Sequence, residues 1–219
     1  LASSVSEPAD HPRLGRGIGG SCPSCSSIAL NGQVSAIEEA LISDRVDVAV
    51  HSAKDVPTVQ DPRLHITAFL PRADPRDALV VAAGSSVVSL ETLPRGARVG
   101  TDSPRRTGFL LALRPDLLVH PLHGNVDTRL RRLDEGATDA LILATAGLIR
   151  LGREDRITEY LDDAVMPPAP GQGAIAIQVR SDDDDLARLG LDVDDIDTRR
   201  AVEAEREVLR RSGGGCRAP

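Results

Sequence analysis

Apolar and polar positions along this chain sort into short apolar runs separated by stretches of helical period. In QVSAIEEALIS, from Gln33, the residues Val34, Ile37 and Leu41 share one helical face and predict a helix. It leads into Val46, Val48, Ala49 and Val50, an apolar run that predicts a buried strand. LHITAFL (Leu64 to Leu70), DALVVA (Asp77 to Ala82), ARVGT (Ala97 to Thr101), LLVHPL, DALILA and AIAIQVR predict further strands. TGFLLALR and NVDTRLRRL read as helices between them, and TAGLIRL as a helical turn or two. A last helix, about Thr198 to Arg211, carries Ala201, Val202, Val208 and Leu209 on one side. Glu203 with Arg206 and Glu207 with Arg211 are expected to pair on the other, and Gly213 to Gly215 to end it. Strands alternating with helices predict an α/β fold with mainly parallel sheets.

Two Pro/Gly-rich breaks divide this pattern, PRADPRD and MPPAPGQGA (Met166 to Ala174). They predict a split domain, residues 1–73 with 169–192, around a middle domain of residues 74–168. Two chain crossings are what a hinged, two-lobed ligand-binding architecture requires. Leu1 to Gly32 are rich in Ser, Gly and Pro, show no period and read as loop. RGIGGS there follows no strand, so it fails as a dinucleotide fingerprint. Cys22 and Cys25 form a lone CxxC without a second pair or nearby histidines, and no metal site is expected. DDDD at Asp182 to Asp185 reads as a solvated loop or helix start.

Composition narrows the function classes. Of 219 residues 41% are hydrophobic, yet there are one Tyr, two Phe and no Trp, so the core must be aliphatic. Base stacking on aromatics is therefore unavailable, and a net charge of −7 opposes affinity for a phosphate backbone, so no nucleic-acid partner is expected. No run of about 20 apolar residues spans a membrane. LASSVSEPADHPRLG lacks a basic start and an apolar segment, so no secretory signal is expected, and an odd count of three cysteines makes no disulfide framework. A reducing, cytoplasmic setting follows, with a monomer expected.

The candidate chemistry sits at strand ends. His51, Ser52, Lys54 and Asp55 follow the Val46 run directly, where ligands of open α/β sheets bind. Lys54 is the only lysine against 25 arginines, and a compact ammonium fits a tight pocket where a planar guanidinium would not. After ARVGT come Thr101, Ser103, Arg105 and Arg106, at a helix start that attracts anions. After LLVHPL come His123, Gly124, Asn125 and, a turn later, Arg129; after DALILA come Thr145 and Arg150. Arginine pairs bidentately with carboxylate or phosphate, so such a set points to a ligand with several anionic groups. Arg131 and Arg132 read instead as a solvated helix face. Asp55 beside Lys54 is expected to stay ionised, the pair interacting by about 4 kcal/mol at ~4 Å and an effective dielectric of ~20 before desolvation. A fixed anion in an anion-binding cleft makes sense where the reaction passes through a cation that it steadies.

HSAKDVPT, PRADPRDAL, GTDSPRR, GNVDTRL, ATAGLIRLG, PAPGQGA and GGGCRAP occur in an order that closely resembles the porphobilinogen deaminase (hydroxymethylbilane synthase) family. The resemblance runs from about Ile37 to Pro219. It implies a two-lobed, periplasmic-binding-protein-like α/β core, with residues 193–219 opening a small α+β third domain. It implies a transferase of tetrapyrrole (heme) biosynthesis that joins four porphobilinogen molecules head to tail, releasing ammonia, into hydroxymethylbilane. The implied primer is a covalent dipyrromethane cofactor on Cys216. Asp55 matches the aspartate that contacts pyrrole N–H groups and steadies the azafulvene-like species formed as ammonia leaves. Lys54, Thr101, Ser103, Arg105 and Arg106 match cofactor-binding positions. Arg129, Arg150, His123 and Asn125 fall where the growing pyrrole chain is held.

Departures from the family's pattern shape the expectation. The family's opening strand and helix have no counterpart here, GIGGSCPSCSSIAL replaces a segment that usually holds a lysine and an aromatic, and His123 stands where an arginine is usual. The chain stops just past Cys216. The reading is thus a family member that is a fragment or weakly active. The alternative is a non-catalytic two-lobed anion-binding protein or an inactive fragment.

Overall fold

A computed structural model describes residues 30–213; Cys22, Cys25 and Cys216 lie outside the described residues. Helix α1 (Leu30–Ile42) starts three residues ahead of the predicted Gln33 and buries Val34 and Leu41. The chain then enters β1 (Ala49–Ser52), a short 3-10 turn over Ala53–Asp55, and β2 (Leu64–Phe69). After the first break come β3 (Asp77–Val81), β4 (Arg98–Gly100), α2 (Pro104–Leu113), β5 (Leu118–His120), α3 (Val126–Asp134), β6 (Ala140–Ala144) and α4 (Thr145–Arg150). A two-residue strand, β7 (Glu159–Tyr160), precedes the second break, then β8 (Ile175–Arg180), α5 (Asp184–Leu191) and α6 (Ile196–Arg211). Asp183 from the acidic run caps α5, its carboxylate accepting from Leu186 N at 3.0 Å.

The strands form two sheets, in the orders β1-β8-β2 and β5-β4-β6-β3-β7. The expectation of mainly parallel sheets is corrected. β4 pairs in parallel with β5 and β6, while β3–β6, β3–β7, β1–β8 and β2–β8 are antiparallel. The physical reason is where the helices fall. In β4-α2-β5-α3-β6 a helix lies on each connection, as a parallel crossover needs. The links from β2 to β3 and from β7 to β8 instead cross between the sheets, so β3 and β8 enter from the other sheet and run against the neighbours they pair with.

The five-stranded sheet is buried on both faces. Leu79, Val81, Val99 and Ile142 pack on one side with Leu110 and Met166; Ala78, Val80, Leu141 and Leu143 pack on the other with Leu130 and Leu148. Continuous apolar runs such as ALVV and ALILA are what two-sided burial requires. β1 differs. The run from Val46 is not a buried strand throughout: pairing begins at Ala49, and Val48 and Val50 are 40% and 61% exposed. β1 lies at a sheet edge, so the pleat turns Ala49 and His51 inward and Val50 out.

Two extended segments join the sheets, residues 70–76 and 161–174, and they bond to each other. Leu70 N donates to Ile175 O at 3.0 Å, and Ala73 N to Gly173 O at 3.1 Å. Helix α6 seals this junction. Val202 packs with Ala53, Val56, Phe69 and Ala174, and Glu205 accepts from both Arg72 nitrogens (2.6 and 2.9 Å) and from Gly171 N (2.8 Å). The expected pairing of Glu203 with Arg206 does not form. Glu203 accepts from Arg199, while Arg206 turns inward to main-chain carbonyls. Glu207 does take Arg211, together with Arg210, and Val208 is exposed rather than packed.

Candidate functional site

The site is built where β1, β3, α2 and the second linking segment meet. Ser103 caps α2, its hydroxyl accepting from Arg106 N at 3.4 Å, with Pro104 at the first turn where its missing N–H costs nothing. That start carries Arg105 and Arg106 inward, 9% and 6% exposed. Between them lies Asp77, the first residue of β3, with no exposed surface. Its carboxylate accepts from Arg105 Nη2 (2.6 Å), Arg106 Nη2 (2.7 Å), Arg106 Nε (3.1 Å) and Gln172 Nε2 (2.8 Å). Arg106 also donates to Ile142 O at 3.0 Å, and Arg105 to Pro167 O. Arg105 Nε is buried without a partner among the described residues.

Gln172 ties this cluster to the other sheet. Its Oε1 accepts from Lys54 Nζ at 3.2 Å and from Arg106 Nη2 at 3.4 Å; its Nε2 also reaches Pro75 O at 2.7 Å. The flanking glycines permit the approach. Gly171 and Gly173 have φ of +77° and +86°, and a Cβ on them would lie 3.1 Å from Lys54 N and 2.4 Å from Ala73 O. The PAPGQGA motif is therefore a backbone device that presses one amide against two lobes.

Electrostatically, three cations share one buried carboxylate. Burial, and then the Arg106 guanidinium, pulls the Lys54 ammonium down to about 8. Burial pushes Asp77 up, but Arg106 and Arg105 outweigh it and hold the carboxyl below its ordinary value. At Asp55 the neighbouring Lys54 favours the charged form, as expected, but it is not the largest influence. Burial raises its pKa, and Lys54 and His51 only partly oppose the rise. Among the described residues Asp55 makes no ion pair within 4.0 Å; Lys54 turns to Gln172 instead. His51, buried, meets Gln178 Oε1 at 3.0 Å, and burial lowers its pKa.

The other expected residues lie around this centre. Thr101 is buried, and its Oγ1 accepts from Ser103 N at 3.3 Å. Asn125 caps α3, accepting from Thr128 N at 2.9 Å. Arg129 donates to Asp102 Oδ2 at 2.8 Å and to Gly124 O at 2.7 Å; burial lowers its pKa against the pull of Asp102, and Arg106 adds to the lowering. His123 is mostly exposed, with Nδ1 3.0 Å from Asp102 Oδ1. Arg150 donates to Gly173 O at 2.7 Å, so it too bridges to the second linking segment. Thus Lys54, Arg105 and Arg106 converge directly, and the charge of Arg106 reaches Arg129. Asp77 and Gln172 were missed as site residues. The signal available was a charged residue opening an otherwise apolar strand, and an amide between two glycines.

These features define a two-lobed α/β protein whose junction holds a buried cluster of cations around one carboxylate. The family model described as "Porphobilinogen deaminase, dipyromethane cofactor binding domain" matches residues 28–188. The chain is 54% identical over 183 residues to the porphobilinogen deaminase of Roseiflexus castenholzii, covering 84% of this chain and 59% of the relative. It is 52% identical over 184 residues to that of Mycobacterium marinum, covering 84% and 58%. Among solved structures, the periplasmic VFT2 domain of Bordetella pertussis BvgS is similar at 18% identity and TM-score 0.46, over 78% of this chain and 72% of that one. The chain belongs to the porphobilinogen deaminase family. It spans a little under three fifths of the length of these relatives.

Proposed function

We propose that this chain supplies the cofactor-holding and catalytic part of a cytoplasmic porphobilinogen deaminase, which joins four porphobilinogen units into hydroxymethylbilane with loss of ammonia. The observation that carries this reading is the buried cluster of Lys54, Arg105 and Arg106 around Asp77 and Gln172, adjoining Asp55. The donor set fits dipyrromethane. Its acetate and propionate groups are carboxylates, and the cluster has three cations for one internal carboxylate and an Arg105 Nε without a partner among the described residues. When bound on Cys216, that group supplies the primer to which new pyrrole rings are joined.

Lys54, Arg105 and Arg106, with Thr101 and Ser103 at the same helix start, would hold the cofactor. Arg129 and Arg150, with His123 and Asn125, would hold the porphobilinogen-derived chain. Asp55 accepts from pyrrole N–H and steadies the positive charge that develops on porphobilinogen as its C–N bond breaks and ammonia departs. The buried cluster excludes water and keeps these charges effective. Binding is proposed for a single copy of the chain, and no described helix is long and apolar enough to cross a membrane.

Intact mass of the purified protein tests this: the mass should include one dipyrromethane, the sample should redden with acidic p-dimethylaminobenzaldehyde, and Cys216→Ser should remove both signals. A free-thiol mass after incubation with porphobilinogen would overturn the reading.

A further inference from the structure

Arg206 is a partly buried cation without a carboxylate partner among the described residues. Its Nη1 donates to Val56 O at 2.8 Å and Ala53 O at 3.2 Å, and its Nη2 to Pro57 O at 2.5 Å. Burial lowers its pKa. The three carbonyls bracket the 3-10 turn Ala53–Asp55, the turn that carries Lys54 and Asp55. That turn has no side-chain cap of its own: Ser52 makes no capping bond. The guanidinium fork comes from a different element and, as a donor, ties down carbonyls of the turn and of the two residues after it. One residue earlier on the same helix, Glu205 grips both linking segments. Ten residues later in the sequence comes Cys216.

We propose that Arg206 is a positioning residue that holds the Lys54–Asp55 turn against Gln172 and in register with the helix leading to Cys216. The proposal rests on the functional reading above, which gives that register its use. A loosened turn would let Lys54 leave Gln172 and regain water. The largest charges acting on Lys54 are those of Arg106, Asp55, Asp77 and Arg105. Arg206→Lys keeps the cation, so a change at Lys54 in that variant reports movement of the turn.

The single lysine makes this measurable. Protein grown with [ε-13C]lysine has one lysine signal, and its chemical shift against pH reads the ammonium directly. Measured in the Cys216→Ser background, so that no pyrrole carboxylate reaches Lys54, the lysine should titrate near the depressed value of about 8. Arg206→Met, which keeps the apolar stem, should raise the midpoint by about one pH unit or more, toward the free-lysine value. Arg206→Lys retains the charge but cannot reach three carbonyls with one fork, and should give a smaller rise. Circular dichroism verifies the fold of each variant, and if Arg206→Met does not fold, Arg206→Lys decides. An unmoved lysine titration in a folded variant would overturn the proposal. This readout needs no pyrrole: failure of the deaminase reading shows as a missing adduct in wild type and leaves the lysine result standing.

Discussion

Asp77 is the residue whose removal tests the energetics of the site most directly. Asp77→Asn keeps the shape and removes the charge that three Arg nitrogens and Gln172 share. A hydrogen bond to a charged group contributes roughly 1.5–3 kcal/mol, so three such bonds from arginine set a gross loss of roughly 5–9 kcal/mol. Part of it is recovered, because Arg105 keeps Pro167 O and Arg106 keeps Ile142 O and Gln172 Oε1. Breaking a buried ion pair by deleting one partner typically costs about 3–5 kcal/mol, and we expect that range here. For a chain of this size each kcal/mol moves the melting midpoint by about 2–4 °C, which gives a fall of about 6–20 °C. Urea denaturation with and without a small polycarboxylate such as citrate is the assay. The variant should be stabilised by citrate more than wild type, since three uncompensated cations bind the anion more tightly. The pH dependence has a definite sign. The folded Asp77 carboxyl lies below its unfolded 3.8, so its contribution is complete above about 3.8 and is lost as pH falls through the folded value. A loss under about 1 kcal/mol, with no citrate effect, would show that the arginines are not held by Asp77 and refute the reasoning.

Further outcomes follow from the same geometry. Lys54 titrates at about 8 when folded against 10.5 in its unperturbed form, so the unfolded chain binds more protons between those values and stability should rise by about 3 kcal/mol across that window. Citrate affinity should fall over the same rise, from about pH 8, and Lys54→Met should abolish both trends in calorimetry. Gly173→Ala places a Cβ 2.4 Å from Ala73 O at φ +86° and should cost about 2–5 kcal/mol in urea denaturation, whereas Gly136→Ala, at φ +77° in open space, should cost about 1–2 kcal/mol. Equal costs would mean that the approach to Ala73 is not tight. Asp55→Asn should keep the dipyrromethane mass yet lose about 10²–10³ in turnover, and the wild-type acid limb should lie above pH 3.8 because burial raises Asp55. Normal turnover in that variant would remove Asp55 from the chemistry.

Much of this fold was legible in the residues themselves, and the misses share a cause. The β4-α2-β5-α3-β6 stretch could be read because its strands are unbroken apolar runs and its helices open on Ser103 and Asn125, local signals that act within a few residues. Strand direction elsewhere was not legible, because it depends on where the chain crosses from one sheet to the other. The convergence of Lys54, Arg105 and Arg106 was visible as cations at strand ends, but their common partner was not. Asp77 lies 28 residues from Arg105, and Gln172 lies 118 from Lys54. Asp55 shows the same limit in energetic form: adjacency to Lys54 is written in the chain, whereas the burial that outweighs it is a property of the folded surroundings. Arg206 was assigned to Glu203 by helical spacing, a rule that is silent about three carbonyls some 150 residues away.

The two linking segments form a pair of antiparallel plies, stitched at Leu70–Ile175 and Ala73–Gly173. Sliding one ply along the other breaks those bonds, while bending both together leaves them intact. The junction should therefore flex as a laminated strip, about one axis, with shear resisted. A single proteolytic nick in either ply should leave the halves joined through the stitches to the other, so cut and uncut protein should sediment alike until denaturant is added.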